Sequence, residues 1–244
     1  MTRQPQSIRD LHNTCSGRVF ILGNGPSIRD QLPLLHKLKG EATFGCNTLL
    51  SWKELPFTPT YYGVTDINDA SVLNRVVYPE AEGMVRFHIG WAGEQYPRNE
   101  AFIWIEKAHD SIQIWNSGFA GLRDELEIVP TGRTTPLTNA QVAAWLGYRE
   151  FYFLGIEQTT TGYAHAPNSS ENGLRGLVRN DHPRIYNGVA LNFAKAVADV
   201  ESVGGTMMDC TPNGLLNDTG RDGIRRGIQR KAVLKYVPLE EVLA

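Results

Sequence analysis

Short apolar runs alternate along the chain with stretches of helical spacing, and polar turns separate them. Residues 19–22, 42–46, 61–64, 151–156 and 206–209 read as buried strands, because they are apolar, partly β-branched and bounded by turn signals. Residues 84–89 and 102–105 are further strand candidates, and 126–129 leads into another turn. Helical spacing predicts a helix over 28–38, in which Pro33 imposes a break or a first-turn position. It also predicts helices over 69–77, over the stretch that puts Val142, Ala143 and Leu146 on one face before a Gly147 C-cap, and over 183–203. Strands that alternate with helices predict an α/β fold, a mostly parallel sheet joined by right-handed crossovers. No such pattern runs through 157–181, and a polar segment of that length is expected to be a lid, a binding loop or a disordered stretch. The chain divides into a polar N-terminal arm over 1–16, one α/β domain over 17–223, and a basic tail over 224–244 with Arg225, Arg226, Arg230, Lys231 and Lys235.

The sharpest local signal is the turn after the first strand, Gly23-Asn24-Gly25-Pro26-Ser27. Gly23 and Gly25 permit positive φ and leave no side chain against an approaching ligand. Pro26 fixes φ, and Ser27 is a good N-cap for a helix starting at Ile28. Such a turn aims free N–H groups and a helix dipole at one point, a natural place for a phosphate. The same shape also serves as a βα turn with no ligand. The turn is neither G-x-G-x-x-G nor a P-loop, because Pro26 and Ser27 follow the second glycine and no Gly-Lys-Ser/Thr is present.

Other strand ends are polar too: Asn47, Asp66, Thr131-Gly132 ahead of the next helix, and Asn213. In an open parallel sheet these gather at the carboxyl edge, where ligands bind. Asp66 caps the short helix that follows, or joins Asp69 and Glu157 on a divalent cation.

Composition narrows the class. The 244 residues are 41% hydrophobic and 20% charged, ordinary for a globular chain. A net charge of -2 gives no global attraction to nucleic acid. Three widely spaced cysteines, Cys15, Cys46 and Cys210, make neither a metal pattern nor a disulfide framework, and a reducing cytoplasm is the expected compartment. The first residues are polar, unlike a signal peptide, and no apolar run approaches the ~20 residues of a membrane span.

Several of these residues, in this order, resemble the bacterial sialyltransferases of glycosyltransferase family 42. They are Ile21-Leu22-Gly23-Asn24-Gly25-Pro26-Ser27, Cys46-Asn47, the run from Ala144 through Phe151 to Glu157, His182, and Cys210-Thr211-Pro212-Asn213. The pattern is also similar to a wider group that includes motility-associated flagellin glycosyltransferases and hydroxymethylpterin diphosphokinase-like domains. The resemblance implies a Rossmann-like fold, with helices on both faces of the sheet, a lid-like loop, and 17–223 as the nucleotide-binding catalytic domain. It implies inverting, metal-independent transfer of a nonulosonic acid from a CMP-activated donor to a glycan or other hydroxyl acceptor. It places Gly23, Asn24, Gly25, Pro26 and Ser27 at the donor nucleotide, Asn47 at its ribose or phosphate, and Thr131 and Gly132 against the cytidine. Tyr163 would meet the donor phosphate, and His182 would be the base. The chain departs from the family in lacking a second tyrosine after Glu157 and in having Thr131-Gly132 where the family has Ser-Gly.

Histidine suits the base at neutral pH. His165 is the rival on the same loop, and Arg133 and Arg175 are further phosphate candidates. The expected ligands are therefore the nucleotide-sugar donor and a hydroxyl acceptor, with no cofactor. Peripheral membrane contact through the basic tail and homo-oligomer formation are further expectations. A Mg²⁺-dependent diphosphokinase acting through Asp66, and a non-catalytic nucleotide-binding relative, are the alternatives.

Overall fold

The computed structural model describes residues 7–65, 83–90, 102–108, 113–126, 128–157, 183–214, 216–217 and 232–244. Among these residues, nine strands form one sheet: β1 (Arg18–Leu22), β2 (Thr43–Cys46), β3 (Tyr61–Val64), β4 (Val85–Gly90), β5 (Ile103–Lys107), β6 (Ile128–Val129), β7 (Glu150–Leu154), β8 (Thr206–Asp209) and β9 (Lys235–Tyr236). Their order is β6-β5-β4-β3-β2-β1-β7-β8-β9, and every pairing is parallel. The α-helices among the described residues are α1 (Ser27–Asp30), α2 (Leu32–Leu35), α3 (Ile114–Ser117), α4 (Thr135–Leu146), α5 (Pro183–Ser202) and α6 (Leu239–Val242). This is the parallel α/β sheet expected from the alternation, in the Rossmann-like arrangement that the resemblance implies. The chain winds outward from β1 to β6 and returns to lay β7 on the other side of β1. The strand order therefore reverses between β1 and β7, the point at which doubly wound sheets open a crevice.

β1 sits at the centre because it is apolar on both faces. Val19 and Ile21 join a core cluster with Phe44, Phe87, Phe151 and Phe153 of the sheet and with Leu137, Val142, Phe193 and Val200 of α4 and α5. Phe20 and Leu22 join the opposite cluster, with Tyr62 and Val64 of the sheet and with Ile28, Leu35 and Leu239 from the short helices. Helices thus cover both faces, as a fully parallel sheet requires.

Some boundaries differ from the sequence reading. The predicted helix over 28–38 is two short helices and a 3-10 turn over His36–Leu38, interrupted at Gln31 (φ -91°, ψ 0°). Pro33 has no N–H to continue the ladder, so the first helix stops before it. Pro26, not Ser27, is the N-cap residue, and it makes no side-chain cap. All twelve residues of α4 are buried, so no polar face remains on a helix expected to be amphipathic. Away from the sheet it is packed by the 3-10 turn Ala120–Leu122, where Ala120 N–H donates to Gln141 Oε1 (3.0 Å), and by the N-terminal segment, where Trp145 Nε1 donates to Ile8 O (2.9 Å) and His12 stacks on Trp145. The described part of the arm therefore packs on the domain, and the described part of the basic tail supplies edge strand β9 and helix α6. The predicted helix over 69–77 and the loop over 158–181 lie outside the described residues. No helix among the described residues is long and apolar enough to cross a membrane.

Candidate functional site at the carboxyl edge of the sheet

At the switch point, β1 and β7 stay paired beyond their strand ends. Gly23 N–H donates to Leu154 O (2.7 Å) and Gly25 N–H to Gly155 O (2.8 Å). A Cβ at position 23 would stand 2.9 Å from the Gly155 carbonyl carbon, and one at position 25 would fall on the Glu157 carboxylate. Positive φ belongs to Gly155 (+67°) and to neither Gly23 nor Gly25. The two glycines are thus required by the close approach of the β7 turn, and not by a left-handed backbone.

Glu157 is the residue that fills this turn. It is 7% exposed, and its carboxylate accepts the backbone N–H of Ser27. Burial pushes its carboxyl above the usual range against the pull of Ser27, and the charge of Asp30 adds to the rise. The N–H that the sequence offers to a phosphate is therefore given to a carboxylate of the same chain. Asn24 Nδ2 donates to Thr48 Oγ1 (3.2 Å), while its Oδ1 is buried with no hydrogen-bond partner among the described residues.

Asn47 ties three elements together. Its backbone is left-handed (φ +43°), a conformation asparagine tolerates better than most residues. Its Oδ1 accepts Thr65 N–H (3.1 Å), and its Nδ2 donates to Thr135 Oγ1 (3.0 Å). The hydroxyls of Thr65 and Thr135 share a hydrogen bond, and Tyr62 OH donates to Asn47 O. One turn into α4, the fully buried Asn139 donates Nδ2 to Gly45 O (3.1 Å) and fills the space beside Gly63. The start of α4 is thus fastened to the ends of β2 and β3.

The turn before α4 is left-handed at two successive residues, Gly132 (φ +58°) and Arg133 (φ +65°). Gly132 is buried, and a Cβ there would stand 2.7 Å from Leu137 Cδ2 and 2.9 Å from Ile114 Cδ1. Thr131 is half-buried, and its carbonyl accepts the Thr138 hydroxyl (2.7 Å). Arg133 is exposed.

At the end of β8, Asp209 is fully buried. Its Oδ1 accepts Thr211 N–H (2.8 Å), and its Oδ2 accepts Asn217 Nδ2 (2.7 Å). Burial, reinforced by the charge of Glu157, pushes its carboxyl up to about 7. Thr211 Oγ1 accepts Ile156 N–H (3.2 Å), which links the β8 turn to the Glu157 turn. Asn213 is exposed and left-handed (φ +56°).

Among the predicted site residues, Gly23, Asn24, Gly25, Pro26, Asn47, Thr131, Gly132 and Asn213 stand on loops at the carboxyl edge, and Ser27 is the first residue of α1 there. Asp66, Tyr163 and His182 lie outside the described residues. Helix α5 begins at Pro183, the residue after His182. Sequence reading placed the Thr131–Thr135 turn at this edge but singled out neither Asp209 nor Asn139 of α4. The available signal was an acid ending an apolar strand, and polar residues within an otherwise apolar helix. Among the described residues, no group of three or more His, Cys, Asp or Glu is placed to hold a metal ion.

No protein-family model matches the chain, and no curated protein matches it. Among solved structures, the MAf glycosyltransferase from Magnetospirillum magneticum AMB-1 is similar at 18% identity, over 66% of this chain and 25% of that one, with a TM-score of 0.37. The chain thus spans about a quarter of that protein's length. The fold assignment rests on the strand order and pairing.

Proposed function

We propose that the chain is a nucleotide-sugar glycosyltransferase that takes a nonulosonic acid from a CMP-activated donor. The observation that carries this reading is the gathering of the β1, β2 and β8 turns and the turn before α4 at one carboxyl edge. There Asn47 bonds both Thr65 and Thr135, and Asn24 keeps a buried acceptor. That position, beside a reversal of strand order, is where an α/β sheet takes a nucleotide. The motif resemblance supplies the donor class. In this reading His182 removes the proton of the acceptor hydroxyl as its oxygen attacks the anomeric carbon. The bond from that carbon to the CMP phosphate oxygen breaks, and the Tyr163 hydroxyl donates to the departing phosphate. The configuration inverts, and no metal takes part.

The diphosphokinase alternative asks Glu157 to share a cation with Asp66. The hydrogen bond from Ser27 N–H to the buried Glu157 carboxylate disfavours it. A thermal-shift panel of CMP, UDP, GDP and ATP, with and without Mg²⁺, tests the reading. CMP is expected to raise the melting temperature without metal, and His182→Ala is expected to abolish transfer while leaving that shift intact. Stabilisation by ATP and Mg²⁺ alone, or full turnover by His182→Ala, would overturn the corresponding part.

A further inference from the structure

We infer that Arg133 supplies the positive charge that receives the phosphate of the bound nucleotide. The inference rests on the reading that this edge binds a nucleotide, and it assigns the phosphate to a particular side chain. The first observation is negative. The turn expected to hold an anion has its Ser27 N–H directed to Glu157, and that buried carboxylate would repel a phosphate there. The donor's charge then needs another partner at the same edge.

Arg133 fits that need. Its left-handed backbone follows a left-handed glycine, a conformation uncommon for a long side chain and found often at ligand-binding positions. It is exposed, and its guanidinium makes no hydrogen bond or ion pair among the described residues. By contrast, Arg18 and Arg29 are paired with Glu41 and Glu54, and Arg149 bonds the carbonyls of Ala144 and Tyr148. The Arg133 stem lies against Gly188 of α5, where a Cβ would stand 3.1 Å from its Cδ and Nε. Glycine weakens a helix interior, so its presence at 188 has a packing reason, and the stem of Arg133 supplies one. Two residues beyond Arg133, Thr135 is bonded to Asn47. Gly188 lies early in α5, the helix that starts directly after His182. Arg133 therefore stands between the Asn47 clamp and the first turns of α5. A guanidinium there presents a planar set of donors that matches phosphate oxygens.

The test compares wild type, Arg133→Ala, Arg133→Lys and Arg133→Gly by isothermal titration with CMP, UDP, GDP, ATP and inorganic pyrophosphate. The parent nucleosides serve as phosphate-free references. Arg133→Ala should weaken the bound nucleotide by roughly tenfold or more, with nucleoside affinity unchanged. Arg133→Lys should recover part of the loss. Arg133→Gly should lose the same affinity while its ligand-free melting temperature holds or rises, because glycine relieves the left-handed backbone. Nucleotide affinity unchanged in Arg133→Ala, or equal loss for nucleotide and nucleoside, overturns the inference and leaves the CMP reading standing. Arg133-dependent binding of a nucleotide other than CMP upholds the inference and removes the CMP reading. Wild type that binds none of these ligands overturns both.

Discussion

The carboxylate of Glu157 accepts the backbone N–H of Ser27 and occupies the space that a side chain at position 25 would need. Two chain segments 130 residues apart thereby close one turn. The Gly-Asn-Gly-Pro-Ser sequence is thus shaped by a partner inside the protein.

This packing predicts coupling between positions 25 and 157. Gly25→Ala should destabilise the fold by about 1–3 kcal/mol, the usual range for forcing a methyl into filled space. Glu157→Ala should recover part of that loss. Urea denaturation of the two single variants and the double variant measures the coupling, and simple additivity would contradict the contact.

Asp209 predicts a pH dependence. Its carboxyl is raised from 3.8 to about 7 by burial and by the charge of Glu157, so the fold favours the neutral form. Its contribution is fully present below about pH 4 and is lost as pH rises through about 7, above which no further loss occurs. Glu157, raised as well, acts in the same direction. Melting temperature should therefore fall between pH 4.5 and 7.5, and Asp209→Asn should flatten the decline. An Asp209→Asn profile parallel to wild type would show that another group sets it.

Asn47 should be difficult to replace. Asn47→Ala loses the hydrogen bonds to Thr65 and Thr135 and keeps an unfavourable left-handed backbone, at a cost of about 2 kcal/mol. Asn47→Gly relieves the backbone but still loses both bonds, so it should fall between Ala and wild type. Equal stability of all three in guanidinium denaturation would mean that the clamp is not a source of stability.

The N-terminal segment should be needed for stability and dispensable for ligand binding. Asn13 N–H and Cys15 N–H donate to Trp145 O (3.0 Å) and Leu146 O (2.8 Å), two carbonyls that α4 leaves open at its C-terminus. Those contacts lie at the end of α4 remote from Asn47. Deleting residues 1–16 also uncovers Trp145 and should cost about 3 kcal/mol, a fall of roughly 6–12 °C in melting temperature. CMP affinity measured well below the melting transition should match that of the full chain. A large loss of affinity would connect the arm to the site.

By itself the sequence determined the class of fold and the edge on which polar residues gather. Runs such as 19–22 and 151–154 are apolar or aromatic at every position and short, as suits a strand covered on both faces. The helix that ends at Gly147 was equally legible, since a left-handed C-cap (φ +116°) is a local requirement. The tertiary structure alone decided which partners those local signals met. Alternation cannot tell that β7 returns beside β1, and that neighbour relation is what brings Glu157 into the turn at Gly25. It also cannot show that the outer face of α4 is covered, or that an exposed arginine at 133 lies across a glycine at 188. Backbone chemistry at a turn is set by a few adjacent residues. The identity of the group that satisfies it depends on contacts between segments far apart in the chain, and those are fixed only when the sheet assembles.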